Sequence, residues 1–430
     1  MDKYGKILFA VVLFFSVSFD LVIAEEFLTW QDCIREAAKN HPDLISAQEG
    51  IRQSEASKKS TASSLFPQIN SSAGASTSKT RTISGSTTTS KTSESYSYGA
   101  SATQLVFDGF KTLDNLQAAS ENIKAARYNY KYTSSAVRLR LRTAFIDVLK
   151  AQELLKITEE IYNVRSANFE LITLRYESGI EHKGALLTAE ANLAQAKFEI
   201  SQAKRTLEVA QRELIKEMGR IQFSPVRVEG VFKVSNTTLE KPDFEALAKN
   251  NPSLGKLMVQ KKAASFGLKA AEADFFPQIS AQAGANRNGS HWPPEDEQWN
   301  AGLSVSLPVF EGGSRLAEVS RAKASLNQAQ ANERSTKDGL ILTLEQSWVN
   351  LQNALETVEV QKKFLEAAEE RAKISESQYS LGLIQFDNWT IIEDDMVRNK
   401  KAFLDTQVNA LLAEANWVQA KGETLEYAQE

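Results

Sequence analysis

Two hydrophobic periods follow one another along this chain, and each appears twice in the same order. After Pro67, Ile69, Ser71, Ala73 and Ala75 alternate with Gln68, Asn70, Ser72 and Gly74. After Pro277, Ile279, Ala281, Ala283 and Ala285 alternate with Gln278, Ser280, Gln282 and Gly284. A period of two marks a strand with one apolar face. The return strands keep it: Tyr96, Tyr98, Ala100 and Ala102 in the first case, Trp299, Ala301, Leu303, Val305 and Leu307 in the second. Hairpin strands are therefore predicted over about 68–77 and 96–107, and again over about 278–287 and 298–309. Between the first two, Ser78 to Ser95 is almost all Ser, Thr, Lys and Gly, the composition of a solvated loop. The period then lengthens. Leu113, Leu116, Ile123, Ala126, Tyr130, Val137, Leu141 and Phe145 recur at three- and four-residue steps, in a stretch from Phe110 to Glu177 without proline or interior glycine. Long helices are predicted over about 110–177, 184–218, 314–380 and 386–422. Helices of that length are unstable alone and must lie along equally long neighbours.

The spacing between landmarks repeats as well as the pattern. His41-Pro42-Asp43-Leu44 is answered by Asn251-Pro252-Ser253-Leu254, and Phe66-Pro67-Gln68-Ile69 by Phe276-Pro277-Gln278-Ile279. Pro42 to Pro67 and Pro252 to Pro277 are both 25 residues, and Phe107 to Tyr176 and Phe310 to Tyr379 are both 69. The chain divides into a repeat over 25–219, a link over 220–242, a second repeat over 243–424 and a tail over 425–430. Each repeat reads as helix, hairpin, very long helix, tip, long helix. Four strands cannot close a barrel alone.

Composition narrows the function. With 42% hydrophobic and 24% charged residues, the chain is neither disordered nor a bundle of membrane helices. A net charge of −4, without a basic patch interleaved with aromatics, argues against nucleic acid. Three His and one Cys make an intrachain Cys/His metal site or a disulfide improbable. Cys33, inside Trp30-Gln31-Asp32-Cys33-Ile34, reads as a small apolar residue of a helix. Residues 1–24 read as a signal peptide: Lys3 and Lys6, an apolar run from Ile7 to Phe19, and small-residue cleavage after Ala24. No other stretch is apolar for about 18 residues, so the exported chain can cross a membrane only as a closed β-barrel.

The duplicated Phe-Pro-Gln-Ile before a hairpin, the Phe107-Asp108-Gly109 and Phe310-Glu311-Gly312 after it, and the tips Tyr176-Glu177-Ser178-Gly179-Ile180 and Tyr379-Ser380-Leu381-Gly382-Leu383 resemble the TolC-type outer-membrane efflux and secretion channels. The resemblance covers about Leu28 to Gly422. It implies a mainly α fold with a small β part, assembled as a homotrimer. Twelve strands would form one outer-membrane barrel, joined to a periplasmic α-barrel of twelve helices. It further implies no cofactor and no catalysis. The partners would be outer-membrane lipid, a periplasmic adaptor and an inner-membrane pump of RND or ABC type, and the cargo would be drug, metal or protein. The competing reading is an exported trimeric coiled-coil adhesin or fibre.

The candidate site residues lie where the long helices turn. Ser178, Gly179, Ile180, Leu381, Gly382 and Leu383 are the tips; a glycine there ends a helix in the left-handed conformation. By resemblance the same turns contact the adaptor. Just beyond the second tip come Asp387, Asn388, Glu393, Asp394 and Asp395. The family commonly places an aperture Asp six residues after the tip glycine; here Asn388 holds that position, beside Asp387. Asp387 and Asp394, seven apart, share a helix face. They either line a periplasmic aperture as rings of carboxylates or begin a helix whose dipole favours acids. Trp348, Trp389 and Trp417 read as packing residues, and Tyr96, Tyr98, Trp292 and Trp299 as a candidate interfacial belt.

Overall fold

A computed structural model describes residues 26–232 and 240–426; the 1–24 signal segment, part of the 220–242 link and the end of the tail lie outside them. The chain is mainly helical with a smaller sheet part. In order it runs Glu26–Leu28 (β1), Trp30–Asn40 (α1), Pro42–Ser63 (α2), Gln68–Ser84 (β2), Thr87–Phe107 (β3), Lys111–Glu177 (α3) and Lys183–Glu217 (α4). Then come Val226–Val228 (β4), Phe244–Asn250 (α5), Pro252–Ala273 (α6), Gln278–Gly289 (β5), Asp296–Ser306 (β6), Ser314–Ser380 (α7) and Phe386–Ala420 (α8). Helices α2 and α6 each have 22 residues, α3 and α7 each 67, and α4 and α8 each 35.

The matched helices start by the same local chemistry. In α2 and α6 a proline occupies the first turn, where its missing N–H costs nothing. The residue before it caps the helix with its side chain. His41 Nδ1 accepts from the Asp43 N–H at 3.1 Å, and Asn251 Oδ1 from the Ser253 N–H at 2.9 Å.

Strands β2, β3, β5 and β6 form one antiparallel sheet in that order. Because opposed residues share a face, the register decides how the sheet presents itself. Ile69 opposes Ala102, Ala73 opposes Tyr98, Ala102 opposes Ala283, Ala285 opposes Trp299 and Ala281 opposes Leu303. These are one continuous face, mainly apolar in this stretch, interrupted by Ser71 and Gln104 and bounded toward the hairpin ends by the Arg287–Glu297 ion pair. On the other face Asn70 opposes Ser101, Ser101 opposes Gly284, and Gly284 opposes Asn300, so that side is mainly polar, with Leu105 opposite Ser280 an exception. Both outer edges, β2 and β6, end without a further strand among the described residues.

The structure corrects the reading of Ser78–Ser95 as a loop. The ladder continues through it to Ser84↔Thr87, and only Gly85 and Ser86 remain outside the strands. The physical reason is that threonine is β-branched and favours the extended chain, while serines pair across the ribbon, as Ser78 and Ser93 do at 2.9 Å between hydroxyls. The β6 strand also stops at Ser306 rather than near 309, just before Pro308, which has no N–H for a ladder.

The long helices form a layer in the order α4, α3, α8, α7, with α2 and α6 packed on the other half of α3. Around the middle of α3, residues on both sides of the link build the main core. There β1 pairs in parallel with β4, an element no pattern in the sequence announces. Gln152 of α3 holds that small sheet, donating to the Val228 carbonyl at 3.1 Å and accepting the Val228 N–H at 2.9 Å. Arg220 joins Glu36 and Glu26 at 2.5 and 2.7 Å. Leu141, Phe145, Val148 and Leu214 fill the interior with Ile34, Met218 and Leu425.

Cys33 lies in that core, 0% exposed, and burial pushes its thiol up to about 12. At about pH 8 only about one thiol in ten thousand is then ionised. Maleimide should therefore leave the folded protein unlabelled over hours and label it fully in denaturant. Rapid labelling of the folded protein contradicts this packing.

Candidate functional site

Both tips are built by the same backbone device. Gly179 and Gly382 take φ of 73° and 74°, which side chains with a Cβ resist. The Gly179 N–H donates to the Tyr176 carbonyl at 3.0 Å and the Ile180 N–H to the Arg175 carbonyl at 2.9 Å. In the second tip Gly382 donates to Tyr379 at 2.9 Å and Leu383 to Gln378 at 2.8 Å. This double bond pattern is the Schellman closure, which satisfies the last carbonyls of a helix. The residue after each glycine points outward: Ile180 is 64% exposed, Leu383 70%, and Leu381 75%. Leaving three large apolar side chains in water at one end of the molecule has no local structural reason.

Behind the exposed residues the two tips are fastened together. Tyr379 is 1% exposed. Its ring stacks on Trp389 with centroids 4.4 Å apart and planes within 8°, and Phe386 packs edge-on against both. The Tyr379 hydroxyl donates to Glu181 Oε1 at 2.6 Å, and the Arg175 guanidinium lies over the ring at 4.8 Å. Burial and the bond to Glu181 push the phenol above its ordinary value. Glu181 and Arg175 belong to the first tip, Tyr379 and Trp389 to the second, so one aromatic residue clamps both. Ile172, Ala185 and Ala189 complete the cluster.

The acidic group past the second tip is split by the structure. Asp387 and Asn388 lie exposed in the first turn of α8, where a carboxylate also meets the positive end of the helix dipole. Asp394, one face with Asp387, is tied within the chain: its Oδ1 accepts from Arg165 Nη2 at 2.5 Å, joining α8 to α3. Arg165 is buried and Asp394 half-exposed. Asp395 pairs with Arg371 of α7 and Arg398 of α8 at 3.3 and 3.1 Å. Glu393 is turned inward, 6% exposed, and burial raises its carboxyl above the usual range. Sequence spacing placed these acids at the tip. It missed Arg165, Arg175, Glu181 and Tyr379, whose partners lie far away in the chain. The doubled Tyr176 and Tyr379 motif could have drawn attention to the clamp, but Tyr176 is 38% exposed and does not repeat it.

Comparison with known proteins places this geometry in context. The profile of the family described as "Outer membrane efflux protein" matches residues 33–220 and 244–429. The chain is 22% identical over 337 residues to the outer membrane efflux protein BepC of Brucella suis, covering 78% of this chain and 72% of that one. It is 24% identical over 365 residues to the pyoverdine export outer membrane protein OpmQ of Pseudomonas aeruginosa, covering 81% and 75%. Its fold is similar to that of the Campylobacter jejuni CmeC outer membrane channel, with a TM-score of 0.80 at 17% identity over 91% of this chain and 84% of that one.

The two tip tyrosines should respond differently to truncation. Tyr379→Ala removes a buried stacked ring and should destabilise the tip by about 3–5 kcal/mol, read as faster amide hydrogen exchange from Ile172 to Ala189. Tyr176→Ala should shift that exchange by less than about 0.5 kcal/mol. Equal effects would show that no clamp exists.

Proposed function

The chain belongs to the outer membrane efflux protein family, and from that premise we propose that it is the exit duct of a tripartite efflux pump or type I secretion system. It works as a homotrimer, with its sheet in the outer membrane and its helices in the periplasm. The family is made up of channel proteins rather than enzymes.

One observation carries the reading: the chain ends on both sides in surfaces that only further copies can cover. The four-stranded sheet has two open edges, and unpaired ladder groups invite another strand. The helix layer ends in α4 and α7, each with an uncovered apolar stripe. On α4 these are Leu187, Phe198 and Val209, eleven residues apart and 52%, 53% and 67% exposed. On α7 they are Leu342, Val349 and Val360, at 55%, 40% and 53%. The α7 residues are seven and eleven apart, and steps of seven or eleven return close to the same side of a helix, so each stripe runs along the helix axis. One threefold rotation seats α7 of one copy against α4 of the next and β6 of one against β2 of the next. Twelve strands then close a barrel whose apolar face meets lipid and whose polar face lines water. The ribbon beyond the Tyr96↔Gly289 pair rises roughly 30 Å above it, at about 3.4 Å per residue. Tyr96, Tyr98 and Trp299 lie on the lipid side of this arrangement, and Trp292 packs on both tyrosines at 6.4 and 5.9 Å. A coiled-coil fibre has no use for a four-stranded sheet segregated into an apolar and a polar face.

In this reading the chain divides into the two repeats, 25–219 and 243–424, with 220–242 as the equatorial link between them, of which the strand Val226–Val228 is described. The exposed Ile180, Leu381 and Leu383 at the tips receive the periplasmic adaptor, and an RND or ABC pump beneath it supplies the cargo. The Asp387 carboxylates, repeated three times with Asn388 beside them, face the aperture, whereas the Asp394 carboxylates are partly neutralised by Arg165.

In a planar bilayer the purified protein should give long-lived, cation-preferring conductance steps; failure of a folded protein to insert contradicts a duct. Asp387→Asn should lower cation-over-anion selectivity about twofold or more, and unchanged selectivity removes Asp387 from the aperture. Replacing Gly382 and Leu383 with Arg should abolish export while trimer level stays normal, and export that persists would rule out docking there.

A further inference from the structure

We propose that Glu393 is a proton-operated latch of the helix tips, holding a proton more tightly while α3, α4 and α8 pack around it than when they part and water enters. The inference rests on the duct reading and assigns its closed end a regulator distinct from the aperture carboxylates.

The geometry is a small, partly open pocket of about 10 Å³ between the helices, room for one water molecule. Glu393, 6% exposed, and Trp389, one turn earlier and 3% exposed, both line it. The Trp389 indole N–H has no hydrogen-bond partner among the described residues, although it is buried. A buried donor beside a buried carboxyl marks a site where a water or a proton belongs. Asn168 of α3 and Asn192 of α4 close the cavity from the other sides.

The surrounding charges are poorly arranged for a carboxylate. From α3 comes Arg165, already engaged by Asp394 at 2.5 Å. From α7 comes Glu376 and from α8 Asp394, both repelling it, while α4 contributes the uncharged Ala189 and Asn192. Burial is the largest influence and raises the carboxyl, Arg165 opposes, and the two acids add to the rise. A largely buried carboxylate lacking its own cation is costly, and a proton removes the cost. The closed tip therefore binds that proton more tightly than an open, hydrated tip. Linkage then fixes the sign. Closure is favoured at low pH, and the advantage is lost as pH rises through the raised value of the closed form.

The test uses the full chain with Cys33→Ser and Ala189→Cys, the latter placing a thiol in the cavity wall. Maleimide labelling is followed from about pH 5 to about pH 8, each rate divided by that of the same protein carrying Glu393→Gln. Division removes the ordinary pH dependence of the thiol. The ratio should rise with pH, by about threefold or more, as the closed form loses its proton. Glu393→Asp, which still titrates, should retain a rise, and a flat ratio overturns the latch. Bilayer recordings supply the second readout, with open probability rising with pH in the parent and not in Glu393→Gln. A pH-dependent labelling ratio in a protein that forms no channel would leave the latch standing and sink the duct. Channels whose pH profile Glu393→Gln does not alter would do the reverse.

Discussion

Length is the constraint from which the rest of this structure follows. A helix of 67 residues carries its apolar stripe for roughly 100 Å, far beyond the reach of any core that a chain of this size can build. α3 meets the requirement inside one chain, flanked by α4 and α8 below and by α2 and α6 above. α7 does not: outside α8, α6 and the short α5, its remaining face stays in water. The sheet repeats the problem in hydrogen bonds, with two edges left open. A rotation that covers the helix faces also pairs the strand edges, so the apolar contact and the backbone ladder call for the same assembly.

The tips turn this packing into a closure. Elsewhere in the layer the contacts are spread along the axis, apolar packing joined by ion pairs such as Lys150–Asp405 and Lys401–Glu199. At the end they concentrate in Tyr379, which holds a tryptophan by its face, a carboxylate by its hydroxyl and a guanidinium over its ring. Its counterpart Tyr176 is 38% exposed and makes no such clamp. The second helix pair therefore does most of the fastening, while the first supplies Arg175, Glu181 and Arg165 as partners. An end held by a few polar and aromatic contacts opens more readily than one held by a continuous apolar seam, which is what the proposed duct would require of it.

The sequence disclosed long-range order more readily than local detail. A stretch from Phe110 to Glu177 without a helix breaker has few options, and the structure holds one helix over Lys111–Glu177. Alternating Ile69, Ala73 and Ala75 against asparagine and serine states a two-faced strand. The Ser/Thr stretch misled, because polarity suggested a loop while the β-branched threonines and the absence of proline permitted a ribbon. Strand β1 has only three residues and pairs with a segment some two hundred positions away, too short for any period to register. At the tips glycine announced the turns, since a left-handed residue is nearly a glycine signature. The spacing of Asp387 and Asp394 told which side of the helix they share. That Arg165 would occupy one of them, and Glu393 be turned inward between them, depends on α3 lying alongside α8, which no local pattern encodes.

In the proposed trimer three copies close one wall. Native mass spectrometry of the detergent-extracted protein is the sharpest check on it. A dominant species of three chains is expected, retained after mild activation and lost when Phe198 on α4 and Val360 on α7 are both changed to Glu. A stable, folded single chain, or a closed assembly of any other number, would contradict it.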